Sequence, residues 1–142
     1  MANQTAVRFG YPATLVREYG HWLVLLREPQ PTLGSLILCA KSEATEFSAL
    51  TMEAHVEMGT VVGEIEQALK SAFAYDKINY LMLMMVDPNV HFHVIPRYAE
   101  SRSACGLSIP DPGWPALPQL GEAQALTSDQ RSALIAHISD YF

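Results

Sequence analysis

An α+β fold, a largely antiparallel sheet with one long helix and a C-terminal helix, is predicted by three features of this 142-residue sequence. Two apolar runs, Trp22–Leu26 and Leu36–Ala40, flank a loop with two prolines and a glycine, as in an antiparallel strand pair. From Ser42 onward apolar residues recur at spacings of three and four, the period of an amphipathic helix. A third apolar stretch then passes into "DPNVHFHVIPRY", where alternate residues differ in chemistry as the two faces of a strand do.

The elements follow in order. "HWLVLLREPQPTLGSLILCAK" reads as strand, loop and strand. In the helix, Phe47, Leu50, Ala54, Met58, Val61, Ile65, Leu69 and Phe73 form the apolar stripe. Thr51 is the expected cap of its main segment, with Glu53 in the first turn, where the helix dipole favours a carboxylate; residues 42–50 form a separate short turn. The run from Tyr80 to Val86 has no polar residue after the tyrosine and predicts a central strand covered on both faces. Asp87, Pro88 and Asn89 then predict a tight hairpin into a strand from Val90. Met82, Met84 and Met85 read as adaptable core filler. Four prolines make residues 106–121 an extended arm. A last helix over about residues 127–140 starts at a capping box of Thr127 and Gln130 and buries Leu134, Ile135 and Ile138.

Length and composition bound the function. With 49% hydrophobic and 17% charged residues the chain can bury one real core, so residues 1–142 are expected to form a single domain whose centre is about residues 20–100. A net charge of -6 provides no basic face for a nucleic-acid polymer, while a few placed cations still suffice for one nucleotide. Cys39 and Cys105 lack metal-type spacing and predict free thiols in a reducing compartment. The first residues lack a secretory pattern, and no run reaches the roughly 18 apolar residues of a membrane span. A cytoplasmic protein with no membrane contact is expected.

On a strand, Asn89, His91, His93, Ile95 and Arg97 line one side, and Val90, Phe92, Val94 and Pro96 the other. Taken alone, His-x-His on a strand has three readings. Both rings can be structural, hydrogen-bonded to backbone and water. They can ligate a metal with a third ligand such as Asp87 or His21. Or a neutral imidazole can attack phosphorus while its other nitrogen, held by a carbonyl, fixes the tautomer. His21, His55 and His137 carry no motif support, and Cys105 has no paired base.

"NVHFHVIPRY" resembles the signature of the histidine triad (HIT) superfamily of nucleotide hydrolases and transferases, which alternates three histidines with apolar residues. The order of elements over about residues 20–100 is similar too: a loop ending in glycine before "LILCAK", a long helix, an apolar strand, then the histidine strand. The resemblance makes the fold HIT-like. It implies that His91 is the nucleophile on the α-phosphorus, forming a nucleotidyl-histidine, and that His93 holds the phosphate and positions His91. Asn89 stands where the family has its first histidine and is a candidate substrate contact; it can hydrogen-bond but not donate a proton near neutral pH. Ser35, after Gly34, stands where many members have a further histidine and is a second candidate substrate contact. The short "DPN" replaces a longer phosphate-binding loop, and lost donors of that kind are worth about 2.7 to 4 kcal/mol each in acyl-transfer sites. Arg97, on the face of His91, is a candidate substitute or a solvated side chain. Trp114 is a candidate to stack on a nucleobase, or to pack its arm on the domain or on a partner subunit.

The resemblance implies a hydrolase or nucleotidyltransferase acting on a nucleoside phosphoramidate, a dinucleoside polyphosphate or a related ester, with no cofactor and no metal. Its partners would be a nucleotide or nucleotide conjugate and a second copy of the chain in a homodimer, joined through "LMLMMV" and the long helix. The alternative is a nucleotide-binding or protein-interaction module with little catalysis. The enzymatic expectation requires that His91 face an open pocket with His93 beside it.

Overall fold

A computed structural model describes residues 2–142. In chain order the elements are α1 (Gln4–Arg8), β1 (Leu15–Glu18), β2 (Trp22–Leu26), β3 (Leu36–Ala40), a 3-10 turn (Phe47–Ala49), α2 (Met52–Phe73), β4 (Lys77–Leu81), β5 (His91–Arg97), β6 (Arg102–Ala104), β7 (Leu107–Ile109) and α3 (Ser128–Ser139). The α+β expectation holds: one sheet runs β1-β2-β3-β5-β4 with every neighbouring pair antiparallel.

The β2–β3 pair sets the centre, with Trp22 opposite Ala40 and Leu26 opposite Leu36. Side-chain alternation sends Trp22, Val24, Leu26, Leu36 and Leu38 to one face, where Val61, Ile65 and Leu69 of α2 and Leu134 and Ile138 of α3 complete a core. The Trp22 indole donates to the Ala54 carbonyl at 2.8 Å, pinning the start of α2 to the sheet. As expected, Thr51 caps α2 by accepting from the Ala54 amide, and Glu53 lies in its first turn. Gly34 takes φ +85 just before β3, and a Cβ there would stand 2.6 Å from Phe73 Cε2; the loop closes on the end of α2 only because that atom is missing. Thr127 and Gln130 form the predicted capping box of α3.

Four expectations are corrected. The apolar run Tyr80–Val86 is not a central strand: β4 ends at Leu81 and lies at the edge of the sheet, and Leu83, Met85 and Val86 are exposed. An uninterrupted apolar run carries no period-two phase, so its sequence could not say where pairing stops. No tight hairpin follows. Residues 82–90 connect β4 to β5, because Asn89 and Val90 bond to Glu43 and Ala44 rather than to β4. Met82 and Met84 do pack against the core, whereas Met85 is 85% exposed. Finally, the extended arm starts later than residue 106. Cys105 and Gly106, both at positive φ, turn β6 into β7, a two-residue hairpin geometry. Beyond it Asp111 anchors the proline-bearing segment to β5 through Arg97. α1, β1 and this small hairpin are elements that the sequence reading missed.

Candidate functional site

The second face of the sheet carries the histidines. His91 lies opposite Cys39 and His93 opposite Ile37, and these in turn face Leu23 and Leu25. That small apolar face is closed by α1, whose Ala6 is fully buried on it. The helix is seated by side-chain chemistry rather than by length. Asn3 caps it, accepting from the Ala6 amide, and donates from Nδ2 to the carbonyls of Ala40 and Ser42, each at 2.8 Å. Thr5 donates from its amide and hydroxyl to Asn89 Oδ1 and accepts from the Asn89 amide. Arg8 Nε lies 2.7 Å from Asp87 Oδ1. Just past the helix the half-buried Phe9 ring stands over both imidazoles, with centroids 5.5 Å from His91 and 5.7 Å from His93.

Between the two histidines the chemistry is asymmetric. His91 Nδ1 is 2.8 Å from the Asn89 carbonyl, which can only accept, so the proton sits on Nδ1 and Nε2 keeps its lone pair. That Nε2 is buried and has no hydrogen-bond partner among the described residues. Unpaired buried polar atoms destabilise a fold by about 1–3 kcal/mol, and they concentrate at functional sites. His93 is 5.2 Å away, centroid to centroid, and its Nδ1 accepts from Arg27 Nε at 3.2 Å. Burial, and next the Arg27 and His91 charges, push its pKa down to about 4, so His93 is neutral at physiological pH.

One expectation fails at this point. His91 is 0% exposed and faces Phe9, not an open pocket. The reason is α1, a five-residue helix too short for its apolar periodicity to be recognised in the sequence.

The other predicted residues are placed as follows. The Asn89 carboxamide is engaged by Thr5 and by the Glu43 carbonyl, and what reaches His91 is the Asn89 backbone carbonyl. Ser35 is fully buried, with its hydroxyl bonded to Thr32. Arg97 is not solvated, and its guanidinium is not free for phosphate. It is 4% exposed and held by Asp111, at 2.6 and 3.2 Å, and by Asn79 at 2.7 Å. Trp114 lies on the arm beside β4, in a groove of about 940 Å³ that it shares with Tyr80, Arg97 and Leu117. The structure therefore joins His91, His93 and the Asn89 backbone, keeps Ser35 and Arg97 bonded elsewhere, and places Trp114 in a separate groove beside β4. It adds Arg27 and Phe9. Alternation along β2 puts residue 27 on the face of Leu23 and Leu25, a signal usable only once that strand is paired with the histidine strand's neighbour. Among the described residues no group of three or more His, Cys, Asp or Glu is placed to hold a metal ion.

The family model for the HIT domain matches residues 10–100, from just after α1 to just after β5. The chain belongs to the HIT family. Its histidine signature is the incomplete Asn89, His91, His93 series. A histidine triad (HIT) protein from Sinorhizobium meliloti superposes with a TM-score of 0.79 at 21% identity, covering 100% of this chain and 96% of that one. A histidine triad protein from Marinobacter aquaeolei gives 0.76 at 22% identity, covering 99% and 96%. A hypothetical histidine triad nucleotide-binding protein from Sulfolobus tokodaii gives 0.71 at 16%, covering 96% and 88%. At these identities the likeness establishes the HIT fold. No curated protein matches the chain. Among the described residues no helix is long and apolar enough to cross a membrane.

Proposed function

We propose that the protein is a HIT-type hydrolase or nucleotidyltransferase acting at the α-phosphate of a nucleoside phosphoramidate, dinucleoside polyphosphate or related ester. One observation carries this reading: the tautomer of His91 is set by the Asn89 carbonyl, leaving a buried, unpartnered Nε2 lone pair beside a second, neutral histidine. Nε2 attacks the α-phosphorus, a phosphorus–nitrogen bond forms, and the bond to the leaving group breaks with its electron pair. Water or another acceptor then displaces His91 from phosphorus. Phe9 must swing aside first. That ring is itself half-buried and lies against both imidazoles, at the end of a short helix that closes this face of the sheet.

The test is to incubate the protein and His91→Ala with α-phosphate-labelled nucleotide substrates and trap the covalent species. Label on the native protein and none on the variant is expected; equal labelling removes His91 as nucleophile. Position 89 supplies no titratable side chain, so substrates whose leaving group departs without a strong acid are preferred. A rate indifferent to leaving-group pKa contradicts that.

The complete burial of His91 favours a second reading, a nucleotide-binding or protein-interaction module that retained the fold. Thermal shifts with nucleotides, paired with turnover assays, separate the two: binding without turnover selects the module, and multiple turnover rejects it. A homodimer is supported by the unpaired outer edge of β4 and its neighbouring exposed Leu83, Met85, Val86 and Leu117. A native mass of twice the chain is expected, and a concentration-independent monomer would reject it. Free Cys39 and Cys105 suit a reducing cytoplasmic setting.

A further inference from the structure

Arg27 differs from the chain's other arginines. Arg8, Arg97, Arg102 and Arg131 each face a carboxylate, and Arg17 is exposed beside the Tyr19 ring. Arg27 is half-buried, and none of the ion pairs among the described residues includes it. Its Nη1 donates to the Pro29 carbonyl at 2.8 Å, which aims the guanidinium, and its Nε donates to His93 Nδ1. A partly desolvated cation held against a neutral imidazole, with no counter-charge, is an arrangement that stability alone does not favour.

The hydrogen bonds on the two histidines assign opposite tautomers. A carbonyl can only accept, so His91 carries its proton on Nδ1 and its lone pair on Nε2. A guanidinium can only donate, so His93 carries its lone pair on Nδ1 and its proton on Nε2. Adjacent rings thereby present unlike ε nitrogens, one nucleophilic and one a donor. Were His93 to adopt the other tautomer, two lone pairs would face the same phosphate, and the second would repel its oxygens.

We propose that Arg27 is a positioning residue: it fixes His93 as the Nε2–H tautomer, so that His93 donates a hydrogen bond to the phosphate that His91 attacks. The proposal rests on the nucleophilic reading of His91 and adds a residue outside the histidine signature to it. No bond to Arg27 is made or broken. The charged and titratable groups set around His93 are Arg27 just after β2 and His91 from its own strand; its register partner on β3 is the apolar Ile37, and α1 is followed by the uncharged Phe9. Against these neighbours the ring stays neutral through the physiological range, and its donor is present whenever Arg27 is in place.

The experiment is long-range proton–nitrogen NMR on protein with labelled histidines, with no nucleotide present. In the native protein His93 is expected to show a bare Nδ1 and a protonated Nε2, and His91 the reverse. In Arg27→Met, which keeps the stem and removes the donor, His93 shifts toward a mixture of tautomers and titrates at higher pH. Arg27→Lys, whose ammonium can still donate to Nδ1, keeps most of the native pattern. A native His93 with its proton on Nδ1, or an Arg27→Met spectrum identical to the native one, overturns the proposal. Should Arg27→Met fold poorly, the native spectrum and the lysine variant still decide. Kinetics then read a separate quantity: at neutral pH Arg27→Met is expected to lose at least tenfold in kcat, with a smaller change in KM and partial rescue in Arg27→Lys. A correct tautomer pattern in a protein with no turnover would leave Arg27 as assigned and reject the enzymatic reading, so the two failures are distinguishable.

Discussion

Acidification across the range between the two pKa values of His93 is expected to destabilise the protein through that one ring. In the unfolded chain a histidine titrates near 6.5, and in the fold His93 is pushed down to about 4. Above about pH 6.5 both states are neutral and the ring adds no pH dependence. Between about 6.5 and 4 the unfolded chain holds a proton that the folded protein does not, so stability falls as pH falls; below about 4 both are protonated and the loss levels off. The gap of roughly 2.5 units, at about 1.36 kcal/mol each, sets an upper bound near 3.4 kcal/mol. Because Arg27 and the rim of Phe9 are partly solvated, about 2 kcal/mol is the expected size. The assay is urea unfolding of the native protein and His93→Gln at neutral pH and near pH 4.5. Glutamine keeps an acceptor for Arg27 but does not titrate, and carboxylates contribute equally to both proteins. The native protein should lose about 2 kcal/mol more than the variant on acidification. Equal losses would refute the argument, since they would mean that the ring is as easily protonated in the fold as in the unfolded chain.

Three further outcomes are expected. Phe9→Ala uncovers the histidine pair, and carbethoxylation of His91, followed by mass spectrometry, should quicken by an order of magnitude or more; an unchanged rate would show that Phe9 does not control access. Asp111→Asn leaves the buried Arg97 guanidinium without its counter-charge and should destabilise the fold by about 3–5 kcal/mol in urea titration, a loss under about 1 kcal/mol marking the pair as solvated. Gly34→Ala places a methyl group against Phe73 at a positive φ, and its unfolding midpoint should drop well beyond that of Gly59→Ala, where a Cβ meets nothing within 4 Å; if the two variants melt alike, the close packing of that loop is not as described.

The parts legible from sequence were those whose signal is local. The stripe of α2 and its Thr51 cap, the α3 capping box and the β2–β3 pair all appear where spacing and cap chemistry put them. The alternation of the histidine strand was legible too, with His91 and His93 on one face and Val94 in the opposite core. The run after Tyr80 was not, because every residue in it is apolar and either face would accept any of them. For Arg97 neither expectation, a phosphate contact or a solvated side chain, matches the fold, because the sequence shows its charge but not Asp111, which arrives from the arm beyond the β6–β7 hairpin. Asn89 was read as a substrate contact, and its carboxamide proved to hold α1 in place instead.

By itself the chain's order of residues determined the two long helices with their caps, the β2–β3 pair and the faces of the histidine strand, since periodicity and capping act over a few neighbouring positions. Tertiary structure alone decided the state of the site. The bond from Arg27 to His93 spans 66 positions and that from Thr5 to Asn89 spans 84. Contacts at such separations depend on how finished elements dock, and no local pattern encodes them. Docking is what sets the Phe9 ring against both imidazoles and closes α1 over their face of the sheet.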